Sequence, residues 1–126
     1  AVRVYSLPDL FAGKMHTLLC RKWKTRVKGR DWYDLVWYLG HHPRLRLSHL
    51  EARLRYSGDW TGAATLTRPA LLSLLHAAIG KLDVNHARQE ADRFVKDKSS
   101  LALWSREFFL EIAAKIETAP YKEKLR

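Results

Sequence analysis

Leu7-Pro-Asp-Leu-Phe-Ala-Gly-Lys-Met-His-Thr-Leu-Leu-Cys20 is the stretch whose reading decides the fold. Ser6 ahead of it supplies a hydroxyl cap, Pro8 sits in the first turn, and Asp9 lies near the positive end of the helix dipole. These signals predict a helix over 7–20. At about 100° per residue, Leu7, Leu10, Phe11, Met15 and Leu18 define one apolar arc, and Lys14 falls near its centre. Desolvating an ammonium costs several kcal/mol. Either this helix borders a functional cleft, or Lys14 snorkels to water over its aliphatic stem.

Working outward, Arg21-Lys-Trp-Lys-Thr-Arg-Val-Lys-Gly-Arg30 follows, with every even position from Lys22 to Arg30 basic and Trp23, Thr25 and Val27 between. If extended, period two lines Lys22, Lys24, Arg26, Lys28 and Arg30 along one face, a clamp for phosphates with Trp23 placed to stack on a base. The alternative is a solvated loop held open by charge repulsion. A second helix, over 31–40, carries Trp32, Tyr33, Trp37 and Tyr38 nearly all round and is expected to be buried. His41-His-Pro43 ends it, and both histidines read as structural or solvated. Asp31 and Asp34 project from one side of this helix, where paired carboxylates can bind a metal, act as a base or hold a lysine. More plainly, Asp31 caps the helix and Asp34 pairs with a neighbouring arginine.

Further helices are predicted over 48–56, 68–80, 84–96 and 101–117, with a loop at Gly58-Asp-Trp-Thr-Gly62 and linkers at 81–83 and 97–100. Upstream, Val2, Val4 and Tyr5 read as the end of a strand that finds hardly any pairing partner in this sequence. The expected fold class is therefore mostly α: a bundle of about six short helices preceded by one short N-terminal strand. Residues 1–126 are expected to form a single helical domain, with 1–5 the residue of a missing upstream core. Such a chain leaves the first helix's apolar side and a strand edge uncovered, which predicts self-association.

The 126 residues are 47% hydrophobic and 29% charged, which excludes intrinsic disorder and supports a core. One cysteine, Cys20, excludes an internal disulfide framework and fits a reducing, cytoplasmic setting. No apolar run is long enough for a membrane span. The formal net charge is +10, concentrated upstream: residues 1–56 carry 12 basic and 4 acidic side chains, residues 57–126 carry 11 and 9. That asymmetry favours phosphate-bearing partners but does not separate RNA from a nucleotide or an acidic protein. His16 and Cys20 have the i, i+4 spacing of zinc ligands, yet two ligands do not make a site and no second pair complements them. They lie on the helix's polar side, so surface positions are expected. No Gly-rich phosphate loop, G-x-S-x-G elbow or H-E-x-x-H helix is present.

Leu10-Phe-Ala-Gly-Lys14-Met-His-Thr-Leu-Leu-Cys-Arg21 followed by Arg26-Val-Lys-Gly-Arg-Asp31-Trp-Tyr-Asp34-Leu35 resembles the AbiEii/AbiGii-type nucleotidyltransferases, toxin components of bacterial abortive-infection (type IV toxin–antitoxin) systems. Phe94-Val-Lys-Asp97 and Leu103-Trp-Ser-Arg-Glu-Phe-Phe109 look like the family's tail, so the resemblance covers most of the chain. Gly13 departs from the pattern, a bulkier acidic residue being common before the lysine. A larger departure is that the Gly-Ser motif and Asp-x-Asp pair, which in the family hold Mg²⁺ and NTP phosphates, do not occur here.

The resemblance implies the C-terminal helical part of an enzyme that transfers NMP from an NTP to an RNA end or a protein hydroxyl. It maps the phosphate-contacting lysine onto Lys14 and the catalytic aspartate onto Asp31, a possible metal ligand, with Asp34 structural. Arg21, Lys28 and Arg30 would border the same cleft, and Lys22, Trp23, Lys24 and Arg26 would meet nucleic acid. Mg²⁺ and NTP belong to the complete protein. An upstream nucleotidyltransferase core, an antitoxin and RNA are the implied partners, and this chain alone should be inactive. The competing expectations are a free-standing basic helical module that binds RNA or an acidic protein without catalysis, and an antitoxin-like interaction domain.

Overall fold

The computed structural model describes residues 6–20, 29–41 and 43–119. The strand expected at 1–5 and the basic segment at 21–28 lie outside them. The described residues fold as α1 (Leu7–Cys20), α2 (Gly29–His41), β1 (Leu45–Arg46), α3 (Leu47–Tyr56), α4 (Arg68–Lys81), α5 (Val84–Asp92), a 3-10 helix (Lys98–Leu103), α6 (Arg106–Ala113) and β2 (Thr118–Ala119). This is the mostly helical bundle expected, with one unforeseen feature: β1 and β2 pair in parallel, Leu45 opposite Thr118 and Arg46 opposite Ala119.

Helix starts follow their caps. The Thr67 side chain accepts from the Ala70 N–H, Asp83 from the His86 N–H, and Ser105 from the Phe108 N–H. The last of these corrects the sequence reading. A continuous helix over 101–117 is replaced by the 3-10 helix and α6, because Ser105 caps a fresh start between them. The helix expected over 84–96 ends at Asp92, where the Lys98 ammonium donates to the Asp92 carbonyl at 2.7 Å.

α1 packs against α2 and α3, α2 against α5, and α4 against α6. The seams are aromatic. Phe11 stacks on Tyr38 with centroids 5.0 Å apart, and Trp32 meets Phe109 edge-on at 5.2 Å, as Trp104 also does. α2 is not buried all round as expected: Trp32 and Tyr38 are buried, but Trp37 is 42% exposed and stacks on His41. With α1 and α5 as its neighbours, one face of the helix stays open. Its first residue has no freedom at all. A Cβ on Gly29 would lie 2.3 Å from the Ala87 carbonyl oxygen and 2.8 Å from the Ala91 nitrogen, so α2 and α5 touch backbone to backbone there.

The loop after α3 is pinned from beneath. Glu51 is 6% exposed and accepts from the Leu66 N–H through Oε1 and from Arg55 Nε through Oε2, both at 2.8 Å. Arg55 then donates to the carbonyls of Gly62 and Ala64. Gly58 and Gly62, at φ 83° and 85°, take the left-handed conformation that turns the loop.

Candidate functional site

α1 and α2 run side by side, and their polar residues meet along the seam. Lys14 Nζ lies 3.0 Å from Asp34 Oδ2, with the two side chains 48% and 24% exposed. The lysine inside the apolar arc thus reaches water, and its carboxylate partner is Asp34. Of the two expectations for Asp34, a lysine held by the carboxylate is what the structure shows, in place of a neighbouring arginine. Asp31 does not cap α2, because the helix begins at Gly29 and places Asp31 within its first turn. Lys14 and Asp31 do share a crevice, bounded by Phe11, Met15, Leu18 and Leu35, that is too tight to hold a water molecule. Tyr38 closes the seam; burial pushes its phenol up, and the Lys14 and Asp34 charges beside it pull in opposite directions.

Lys14 also edges a cleft of about 250 Å³ between α1 and α3, lined by Asp9, Gly13, Thr17, Tyr38, His49 and Arg53. Asp9, His49 and Arg53 form the wall shared with a larger, more open hollow of about 580 Å³ that adds His16, Arg46 and Tyr56. Asp9 is its electrostatic anchor. Its Oδ1 accepts from Arg46 Nε at 2.8 Å and from His49 Nδ1 at 3.1 Å, and its Oδ2 from the Ser6 hydroxyl at 2.8 Å. Burial pushes this carboxyl up, but Ser6, His49 and Arg46 outweigh it and leave the group below the ordinary carboxylate range. Arg53 Nε donates to His49 Nε2 at 2.9 Å. Since a guanidinium can only donate, His49 carries its proton on Nδ1 and passes the contact on to Asp9.

Gly13 faces this chain of contacts: a Cβ there would meet the Arg53 guanidinium at 3.7 Å. With no side chain at this position, the Arg53 guanidinium is left uncovered on that side. Tyr56, 96% exposed, stands at the open end. Arg46, His49, Arg53 and Tyr56 were missed in the sequence. The steps of four and three from His49 to Arg53 to Tyr56 on α3, with Arg46 just ahead of the helix, were the available signal.

Of the other residues singled out, Arg21, Lys22, Trp23, Lys24, Arg26, Lys28 and His42 lie outside the described residues. Arg30 is brought elsewhere. Its guanidinium sits 4.8 Å over the Phe94 ring, on the α5 side of α2. His16 and Cys20 are half-buried, where surface positions were expected, and Asp59 approaches them. Burial pulls the His16 imidazole down, helped by Arg53 and opposed by Asp59. Among the described residues, Asp31 and Asp34 do not make a Mg²⁺ site by themselves. Asp34 is engaged by Lys14 and Asp31 edges a seam without room for a hydrated ion, whereas Mg²⁺ keeps several waters about one or two carboxylates.

Among the described residues no helix is long and apolar enough to cross a membrane. The family model described as "Nucleotidyl transferase AbiEii toxin, Type IV TA system" matches residues 1–112, which spans every element from α1 into α6. No curated protein and no solved structure matches the chain.

Proposed function

Because the chain belongs to the AbiEii family of nucleotidyl transferase toxins of type IV toxin–antitoxin systems, we propose that it is the triphosphate-gripping helical part of such an enzyme. The reaction is transfer of NMP from an NTP to the end of an RNA. An acceptor hydroxyl oxygen bonds to the α-phosphorus, the bond to the bridging oxygen breaks, pyrophosphate leaves and the hydroxyl proton goes to a base. Catalysis of this kind is mostly positioning and charge neutralisation.

The observation that carries the reading is the Lys14 ammonium, held 3.0 Å from Asp34 at the edge of a cleft whose far wall is Arg53 and His49. Lys14 binds phosphate oxygens, Asp34 positions it, and Asp31, in the same seam, joins carboxylates supplied by an upstream nucleotidyltransferase core bearing the Gly-Ser and Asp-x-Asp motifs. Mg²⁺ would be held chiefly by that core and supply charge neutralisation at the transferring phosphorus. RNA is favoured as acceptor over a protein hydroxyl by the exposed Tyr56 ring beside Arg53 and Arg46, the pairing of aromatic face and cations that single strands use. The setting is a bacterial cytoplasm, the role is abortive infection, and an antitoxin protein is the regulatory partner.

The test is binding by the full chain. A fluorescent Mg·NTP analogue should bind weakly, and Lys14→Ala should weaken it at least about tenfold, as expected for loss of one charge-assisted contact. Unchanged affinity removes Lys14 from the nucleotide site. Single-stranded RNA binding should fall steeply with salt and further in Arg53→Glu. RNA binding indifferent to both would remove the RNA end and leave a protein hydroxyl as the acceptor.

A further inference from the structure

α1 ends in a residue pair that the nucleotide reading leaves unused. His16 and Cys20 stand one turn apart, both half-buried, and the loop after α3 brings Asp59 to them. One donor atom from each, an imidazole nitrogen, the Cys20 Sγ and an Asp59 carboxylate oxygen, lie within 4.8 Å of one another. It is the one grouping of three such donors among the described residues. We propose that His16, Cys20 and Asp59 bind a zinc-class divalent ion, with the fourth position left to water or an incoming ligand.

Three features support it. The loop is built to deliver the carboxylate: Gly58 takes φ 83°, and the Asp59 N–H donates to the Leu54 carbonyl at 2.8 Å, tying the residue back onto α3. Ser57 keeps the imidazole and the carboxylate in register. Its hydroxyl donates to Asp59 Oδ2 at 2.6 Å and lies 3.1 Å from His16 Nε2, the kind of outer contact that orients metal ligands. The donor set itself selects the ion. One sulfur, one nitrogen and one oxygen suit Zn²⁺ and its neighbours, whereas Mg²⁺ and Ca²⁺ need oxygens throughout.

Ligand bonds of about 2.0–2.3 Å in a tetrahedron place donors roughly 3.3–3.8 Å apart. The triad must therefore draw in by about 1 Å, a movement that side-chain torsions supply. Binding would clamp the last turn of α1 to the end of α3. Because His16 also lines the larger hollow, the ion would stiffen that wall while leaving Lys14 and Asp34 untouched. The site is thus independent of the nucleotide reading.

Co²⁺ is the probe, titrated into the reduced full chain. The expected result is one equivalent bound, with a thiolate-to-cobalt charge-transfer band and tetrahedral d–d absorption, both displaced by Zn²⁺ and neither by excess Mg²⁺. Cys20→Ser should abolish the charge-transfer band. Asp59→Asn and His16→Ala should each weaken binding at least about tenfold, since even outer partners of a metal site carry effects of that size. Circular dichroism confirms that each variant is folded, and Cys20→Ser is nearly isosteric. Absence of the band at stoichiometric cobalt overturns the site. So does a band lost in Cys20→Ser but unmoved in both other variants, which would mean a bare thiol. Nucleotide-analogue binding by the Lys14 pair is read separately and stands or falls alone.

Discussion

The two halves of the bundle use arginine in opposite ways. From α4 onward, guanidinium groups are consumed by backbone: Arg68 donates to the carbonyls of Ala114 and Ile116, Arg88 to those of Leu101 and Trp104, and Arg106 to those of Ile79 and Leu82. Each ties down a helix end or a connection, where carbonyls lack a full set of helix partners. Around α1 and α3, Arg55 apart, the cations instead lean on side chains. Arg46 and His49 meet at Asp9, Arg53 rests on His49, and Lys14 rests on Asp34. A cation fastened to backbone is part of the scaffold, whereas one resting on a carboxylate at a cleft edge can exchange that partner for a phosphate. The difference explains why a chain of net charge +10 need not be sticky everywhere.

The sharpest way to break this comparison is at the contact that joins the halves. Gly29→Ala forces a methyl group into the Ala87 carbonyl and Ala91 nitrogen, and α2 must lift from α5. Overpacking against backbone should cost about 3 kcal/mol or more, read as a large fall in the urea midpoint. A midpoint within error of the parent would mean that the two helices are not in backbone contact. Arg88→Ala comes next. It strands the Trp104 carbonyl and leaves the Leu101 carbonyl with only the Trp104 N–H, and should cost about 1–3 kcal/mol, while nucleotide-analogue binding by the folded protein stays unchanged. A selective loss of binding with stability intact would place Arg88 in the wrong class.

Glu51 sharpens the contrast from inside the cleft half, since it is a buried carboxylate used as scaffold. Burial pushes its carboxyl up, but the Leu66 N–H and Arg55 outweigh this and leave it below its ordinary value of 4.5. A folded-state value below the unfolded one means that the stabilisation is fully present above about pH 4.5. It is lost as pH falls through the depressed value. Urea midpoints should therefore drop on acidification below that point. Glu51→Gln should be less stable at pH 7 by about 1–2 kcal/mol and should flatten the acid limb. An equally steep limb in the variant would assign acid sensitivity to other carboxylates, Asp9 first.

Local chemistry was legible in the sequence where a cap or a proline decides it. α1 begins after Ser6 as read, and α4 starts behind Thr67. The break at Ser105 was not, because Leu101, Trp104 and Phe108 keep steps of three and four whether the backbone is 3-10 or α. Two-residue strands as remote as β1 and β2 leave no periodic trace. The Lys14 seam could be anticipated, since a cation amid apolar residues is an anomaly within one helix. That Asp34 rather than Asp31 holds it, that Arg53 stands across the cleft and that Asp59 lies beside His16 and Cys20 could not, because each meeting depends on how helices cross.

The smallest expected stability change is the most informative about the cleft. Lys14 is nearly half exposed, so its 3.0 Å pair with Asp34 is screened and should contribute no more than about 0–1 kcal/mol. Asp34→Asn should leave the urea midpoint almost where it was. If the pair were scaffold, nothing else would change. If Asp34 positions the ammonium for phosphate, the variant loses the orienting partner and also a nearby negative charge, effects of opposite sign on nucleotide affinity. Salt separates them: the charge effect fades as ionic strength rises, whereas loss of orientation persists. A nucleotide-analogue affinity that stays reduced in Asp34→Asn at high salt, in a protein of unchanged stability, marks the carboxylate as a positioning residue. An affinity equal to the parent's at every salt concentration reduces the pair to a surface ion pair.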